Sequence, residues 1–399
     1  MDSQQLAAGL DRDVPWCFSD DQRQWQRAVR DLADREIAPS ATERNIAATF
    51  DEGLIERIGN MGMYGLMVPS EQGGGGGAVT NLCIGIEELA RVDSGLSASV
   101  HVQAISVALF NHLLREDQDH LRKHLPRLMS GEDFISFGLT EPSGGSDAGD
   151  IQTRATRDGD GWVINGSKEF ITNAGTPRSR FVILFAATGE SERSWRPQVS
   201  VFLVPLDADG VTVGPAYEKL GWRSSDTHPL FLDDVRVSED ALLGHEGRGY
   251  GEALGFLTWA RLPIASMGVG LAQGCLEESL KFVDGRRSFG APVASHQGLA
   301  FQIADIAAMT SSARMITYDA CYRYDHDLPF GQSAAICKLV SSELANRVAY
   351  RATQVHGGYG FIDESAVARH YADARILTIG EGTSEVQRLL IARSLGLPL

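Results

Sequence analysis

Apolar positions recur at helical spacing in the first third of the chain. They give way to short β-rich runs and return to helical spacing at the end. Ser19-Asp-Asp-Gln22 has the layout of a capping box, with a hydroxyl for the free N–H groups of a first turn and a glutamine three residues on. It opens an amphipathic run through Trp25, Val29, Leu32, Ile37 and Ala38, which predicts a helix ending near Pro39. Further helices are predicted over about residues 51–62, 80–91, 96–114 and 117–129.

Between Phe134 and Leu243 the pattern changes. Short runs rich in β-branched and aromatic residues appear at 162–164, 170–172, 181–185, 199–204, 211–213 and 230–237. Asn165-Gly166 reads as a tight hairpin turn between the first two, since both residues tolerate positive φ. Pro142, Pro177, Pro197 and Pro205 punctuate the segment as loops do. Helical spacing returns over 252–284, 295–324, 333–356, 366–377 and 384–395. The pattern therefore predicts an α+β chain with an α-helical domain over 1–133, an antiparallel β domain over 134–245 and an α-helical domain over 246–399.

Composition narrows the function classes. A hydrophobic share of 43% supports a substantial core and excludes disorder. The 36 basic against 52 acidic side chains leave a net charge of −16, which speaks against a nucleic-acid ligand. The most apolar uninterrupted run, Phe181 to Ala187, is far short of the ~18–20 residues of a membrane span. The first residues lack the layout of a secretory leader, and Cys17, Cys83, Cys275, Cys321 and Cys337 stand singly with no metal-ligand or disulfide spacing. The expectation is a cytoplasmic protein with no metal, no membrane and no nucleic-acid partner. Gly73–Gly77 lacks the Lys-Ser/Thr that follows a phosphate loop and reads as a flexible turn.

Two segments carry the chemistry: Phe137-Gly-Leu-Thr-Glu-Pro-Ser-Gly-Gly-Ser-Asp147, and residues 354–388, QVHGGYGFIDESAVARHYADARILTIGEGTSEVQR. With WVINGSKEFITNAG (162–175), KLGWRSSDT (219–227), RRSFG (286–290) and HQ (296–297) in order between them, the chain resembles the acyl-CoA dehydrogenase family over about residues 19–397. The resemblance implies a middle domain that is barrel-like, a C-terminal four-helix bundle, FAD as cofactor, and a homotetramer or dimer. It also implies an acyl-thioester substrate and an electron-transferring flavoprotein as acceptor.

The resemblance assigns roles residue by residue. Phe137, Leu139, Thr140 and Ser146 line the flavin, with Ser146 also near the acyl-CoA. Phe170, Ile171 and Thr172 form the strand that stacks on the ring, Phe170 standing where the family often has Trp. Arg286, Phe289 and Gln297 reach the pyrophosphate and adenine of a neighbouring subunit's FAD, and an Arg fork suits two phosphate oxygens. Gln354, Gly357 and Gly358 face that FAD from a helix terminus, where N–H groups favour phosphate, while His356 reads as a packed histidine. Thr383 and Glu385 open the last helix beside the cofactor. Gly382 and Arg261 belong to the substrate region.

Glu381 is the expected base. Taking a proton α to a thioester carbonyl requires a carboxylate whose pKa burial raises from about 4.3 toward neutrality. In the family the base of Glu-Gly-Thr stands here, and its own N–H polarises the thioester oxygen, a donor typically worth about 3–4 kcal/mol in the transition state. A minority of the family draws the base from the position before an Arg on a long helix. The matching pair is Ala260-Arg261, and alanine cannot serve.

Several positions depart from the family pattern. Gly380 replaces a common Tyr and implies a wider pocket, suited to a branched, substituted or protein-tethered acyl group. Thr258 and Ala260 replace polar residues of the straight-chain medium enzymes. Asp150 and Ala372 also depart. The reading is a dehydrogenase forming a trans-α,β double bond on acyl-CoA. The rivals are a same-fold dehydrogenase or oxidase acting on a carrier-protein-bound acyl group, an oxygen-using relative, and a non-catalytic acyl-CoA or flavin binder.

Overall fold

The structure, a computed structural model, describes residues 18–190 and 196–398, with the side chains of residues 253 and 254 left aside. Cys17, the N-terminal residues read above for a leader, and residues 191–195 lie outside the described residues.

The N-terminal helices are α1 (Asp20–Leu32), α2 (Ala38–Ala47), α3 (Glu52–Asn60), α4 (Val79–Ala90), α5 (Ser94–Leu113), α6 (Asp119–Arg122) and α7 (Leu125–Ser130). The capping box at Ser19 and Gln22 forms in both directions. The helical path does not end at Pro39. A π-helical turn, Ala33–Ile37, leads into α2, where Pro39 occupies the first turn and removes no needed donor; the end comes at Ala48, in the left-handed region. The stretch 117–129 is broken into short turns, with Pro126 starting α7.

The glycine run is pinned rather than flexible. The amides of Gly74, Gly75, Gly76 and Gly77 donate to the carbonyls of Pro69, Gly65, Val68 and Leu66 at 2.9–3.1 Å. With those donors used internally, none of the four is left for a phosphate.

The middle domain holds β1 (Phe134–Gly138), β2 (Arg154–Asp158), β3 (Gly161–Thr172), β4 (Ser179–Gly189), β5 (Gln198–Pro205), β6 (Val211–Val213), β7 (Thr227–Ser238) and β8 (Leu242–Leu243). They form one sheet in the order β6-β7-β3-β2-β4-β5-β8, with β1 beside β4. Five of the seven pairings among the described residues are antiparallel; β1 and β2 run parallel to β4. Trp162, Ile164 and Ile171 of β3 share one core with Val182, Leu184 and Phe202 of β4 and β5, so the sheet wraps on itself as a barrel-like layer.

Asn165-Gly166 is not a hairpin. Both residues lie inside β3, where the register against β7 slips between Ile164 and Gly166. Asn165 and Asp234 exchange hydrogen bonds across this bulge, Nδ2 to Oδ1 at 2.9 Å and N–H to Oδ1 at 2.8 Å. The reversal falls one strand earlier, at Gly159-Asp160, with Gly159 at φ +63°. The runs 162–164 and 170–172 are thus one strand, and tertiary pairing with β7 extends it through polar residues.

The C-terminal domain comprises α8 (Gly249–Val283), a two-residue-strand hairpin of β9 (Arg287–Ser288) and β10 (Ala291–Pro292), α9 (Gln297–Asp325), α10 (Gly331–His356), α11 (Ala366–Ala374) and α12 (Ser384–Ser394). Helices α8, α9, α10 and α12 pack as the bundle, and α8 also lies against α4. By length and composition α8 alone among the described helices could cross a membrane, but 82% of its apolar window is buried inside the protein, so it is a core helix. Cys83, Cys275, Cys321 and Cys337 are buried and free.

Buried polar ties hold the three layers in register. Asp93 caps α5 at Leu96 N (3.0 Å) while accepting from Arg44 (2.9 Å) and Ser224 Oγ (2.6 Å). Asp373 of α11 accepts from the Trp222 N–H at 2.6 Å. The segment 219–227 is therefore clamped between α2, α5 and α11. Gly221 is required there, since a Cβ would come within 2.5 Å of the Ala372 carbonyl.

Candidate active site

Glu381 lies in the short connection between the 3₁₀ turn Arg375–Thr378 and α12. Thr383 caps α12, its Oγ1 accepting from Val386 N at 3.2 Å. Glu381 (φ +54°) and Gly382 (φ +84°) are successive left-handed residues that reverse the chain before the helix. For a residue with a Cβ this conformation costs about 1–2 kcal/mol, and such strain gathers at functional sites. The turn is held from outside: Lys338 of α10 donates from Nζ to the Gly382 carbonyl at 2.6 Å, and Gln387 Nε2 donates to the same oxygen at 2.9 Å.

Three further elements reach this turn. From α5, His101 Nε2 stands 3.5 Å from Glu381 Oε1. From α10, Lys338 is wholly buried, and burial lowers its ammonium pKa to about 8, the Glu381 carboxylate pulling it back up in part. From α8, Arg261 is held below its usual range by burial, again opposed by Glu381, and its Nε is buried without a hydrogen-bond partner among the described residues. The Glu381 side chain is 22% exposed. A carboxylate is thus presented at the protein's edge, with positive or proton-bearing groups behind it. Ala260, the alternative base position, is fully buried and inert.

A second group gathers where β1 leads into the loop 139–153. Phe137 is half-buried against Phe185, Leu139 is buried, and Thr140 is half-buried with its carbonyl accepting from Glu169 N at 2.9 Å. That bond brings the loop beside the end of β3, where Phe170 is 65% exposed at φ +60°, Ile171 is buried and Thr172 is half-buried. The register against β7 slips between Lys168 and Ile171, which turns Phe170 outward. Ser146 is exposed on the loop. Asp147 pairs with Arg196 at 2.7 Å, and the departure at Asp150 closes a local tie from Gln152 Nε2 to its Oδ1 at 2.9 Å.

The base of that loop rests on a buried ion pair absent from the sequence reading. Glu141 accepts from Lys168 Nζ (2.7 Å), Gln152 N (2.6 Å) and Thr153 N (3.0 Å). Burial pushes the Glu141 pKa up, but Lys168 and these donors leave it below the ordinary carboxylate value; burial lowers Lys168 to about 8. Lys168 also donates to the Leu139 carbonyl at 3.3 Å.

The third group is exposed at one end of the helical domain. Arg286 lies over the rings of Phe282 (4.6 Å) and Tyr359 (5.4 Å), beside Gly357 and Gly358. Phe289 is 98% exposed at φ +49°, and Gln297, Gln354, Gly357 and Gly358 are exposed. His356 stacks on Phe282 at 4.3 Å and bonds the Ala352 carbonyl through Nδ1, a packed histidine as expected. Glu385 points to solvent from the first turn of α12.

Comparison with known proteins decides the family. The chain matches the acyl-CoA dehydrogenase N-terminal domain over residues 19–132, the middle domain over 136–235 and the C-terminal domain over 247–396. The chain belongs to the acyl-CoA dehydrogenase family. It is 39% identical to a probable acyl-CoA dehydrogenase of Bacillus subtilis, covering 94% of this chain and 98% of that one. It is 34% identical to a caffeyl-CoA reductase–Etf complex subunit of Acetobacterium woodii, over 94% and 98%. Butyryl-CoA dehydrogenase from Megasphaera elsdenii superimposes with a TM-score of 0.89 at 33% identity, over 95% and 98%. A glutaryl-CoA dehydrogenase from Mycobacterium smegmatis, solved with FADH2, gives 0.89 at 28% identity, over 96% of each chain.

As a family member the chain is an FAD-dependent oxidoreductase acting on the CH–CH bond of an acyl-CoA. Its residues fit that cofactor. The aromatic ring of Phe170 is turned outward against Tyr217 (5.2 Å), and the Glu169 N–H to Thr140 carbonyl bond (2.9 Å) brings the hydroxyl-bearing loop 140–146 alongside that end of β3. Sequence reasoning missed Lys338, His101, Glu141 and Lys168. One signal was available: Lys338 is the single charged residue in Ser333-Ala-Ala-Ile-Cys-Lys-Leu-Val340, an otherwise uncharged stretch of helix.

Proposed function

We propose that Glu381 removes the α-proton of an acyl-CoA thioester, so that the electron pair of that C–H bond becomes the new π bond and the β-hydrogen leaves as hydride. Phe137, Leu139, Thr140, Ser146, Phe170 and Thr172 would hold FAD, which would supply the hydride acceptor. The observation that carries this reading is the Glu381–Gly382 turn, a strained pair held by Lys338 with its carboxylate at the protein's edge. Held this way, the Glu381 N–H is available to the thioester oxygen.

Arg286, Phe289, Gln297, Gln354, Gly357 and Gly358 complete the FAD site of a second copy of this chain, since they are exposed together at one end of the bundle. An electron-transferring flavoprotein is the acceptor, a partner named for the Acetobacterium relative. The relatives' names specify CoA esters, which favours CoA over a carrier protein as the handle.

The test is Glu381→Gln. We expect the variant to keep its FAD and lose anaerobic flavin bleaching by butyryl-CoA by about a thousandfold or more, the scale of losing a general base together with its charge. Near-wild-type bleaching would overturn the assignment.

A further inference from the structure

We propose that His101 is a positioning residue for the base: its Nε2–H donates to the Glu381 carboxylate and fixes its rotamer. This rests on the reading of Glu381 as the base. His101 is 1% exposed within α5, and neither ring nitrogen has a hydrogen-bond partner among the described residues. A buried polar group left unsatisfied costs about 1–3 kcal/mol, so the ring stands in need of a partner. It faces the Glu381 carboxylate, at 3.5 Å from Nε2 to Oε1. That gap closes with a small side-chain rotation of a glutamate that is itself only partly packed.

The other charged groups act on Glu381 from different helices. Lys338 on α10 and Arg261 on α8 both couple to it, and Lys338 also feels Glu343 and Glu385, while Arg261 feels Cys337. Lys338 already spends its ammonium on the Gly382 carbonyl. His101 is therefore the group on α5 free to bond the carboxylate itself. A neutral imidazole donating to a carboxylate stabilises the charged form and lowers its pKa.

The experiment compares the FAD-loaded wild type with His101→Phe, His101→Gln and His101→Asn, reading kcat and KM for butyryl-CoA from pH 5 to 9. Phe keeps the ring and removes the donor; Gln returns an N–H near the Nε2 position; Asn places it near Nδ1. For His101→Phe and His101→Asn we expect the acid limb of kcat to move up by about one pH unit, the size of one hydrogen bond to a charged group. KM should change less than twofold, and His101→Gln should keep the wild-type limb. Ring-nitrogen NMR of the wild type, assigned by difference from His101→Gln, should show His101 protonated at Nε2.

A wild-type acid limb in His101→Phe, or in both amide variants if the Phe variant does not fold, overturns the proposal. So does a neutral ring protonated at Nδ1. Glu381→Gln run in parallel separates the two readings: if it is inactive while His101→Phe keeps the wild-type limb, only the role of His101 falls. If it stays active, the base assignment falls and takes this inference with it.

Discussion

Lys338 Nζ lies 2.6 Å from the carbonyl oxygen of Gly382, so a buried ammonium on α10 holds the peptide that follows the base in the turn leading into α12. The contact fixes the orientation of a left-handed Glu381–Gly382 pair that backbone preference alone would not hold. Lys338→Met should leave that carbonyl to Gln387 and let the turn relax. We expect kcat to fall about tenfold or more, the scale of one lost hydrogen bond to a charged group. The thermal midpoint should fall less than the activity suggests, because removing a buried ammonium also removes its desolvation cost. Steady-state kinetics beside a melting curve separates the two.

Asp373 gives a pH signature. Burial raises its pKa to about 7, with the Trp222 N–H and Arg369 opposing. The folded state then binds more protons than the unfolded chain between about pH 4 and 7, so this group's contribution to stability declines as pH rises through that window. Asp373→Asn removes the titration and keeps an acceptor for Trp222. Its stability relative to wild type should improve from pH 4 to pH 7 and then level, in urea unfolding followed by tryptophan fluorescence.

Lys338 has the opposite slope at higher pH. Its folded pKa of about 8 lies below the ordinary lysine value, so the unfolded chain binds more protons between about pH 8 and 10.5. The wild type should gain stability relative to Lys338→Met across that range. A constant difference between the two urea midpoints would show that the ammonium is not desolvated.

Glu141 and Lys168 test the loop. Glu141→Ala strands a buried lysine and frees the amides of Gln152 and Thr153, which should cost about 3–5 kcal/mol and release FAD. The double variant Glu141→Leu with Lys168→Met should recover much of the stability, since no charge is then left alone, but not the cofactor affinity. Urea midpoints and the flavin-to-protein absorbance ratio report the two effects.

Phe289 is exposed and touches little of its own chain. Phe289→Ala should therefore change the stability of the isolated fold by no more than about 0.5 kcal/mol, the usual range for surface changes. If a second copy completes the FAD site, the same substitution lowers flavin retention and shifts the mass measured by light scattering. An unchanged flavin ratio and mass would remove Phe289 from that interface.

Local signals in the chain marked the long helices at both ends, and with the family resemblance they singled out Glu381 as the candidate base. The capping box at Ser19, the apolar spacing of Gln297–Asp325 and Gly331–His356, and Glu381 between two glycines before a capped helix are all short-range features. Each depends on residues within a turn or two, so the order helices, β layer, helices could be read directly.

Tertiary structure decided what depends on distant partners. Asn165-Gly166 is a bulge and not a turn because β7 pairs with both flanks and Asp234 bonds the asparagine side chain. The glycine run is stiff because carbonyls from residues 65–69 take its amides. Pro39 fails to end the helix because a π turn resets the hydrogen-bond ladder before it. His101, Arg261, Lys338 and Glu381 are 280 residues apart at the extremes, and nothing in their local spacing relates them; three helices packing around one turn bring their charges together. Residue type and short-range pattern determine which groups are present and which helices carry them. Only packing determines which of them lose water and face each other.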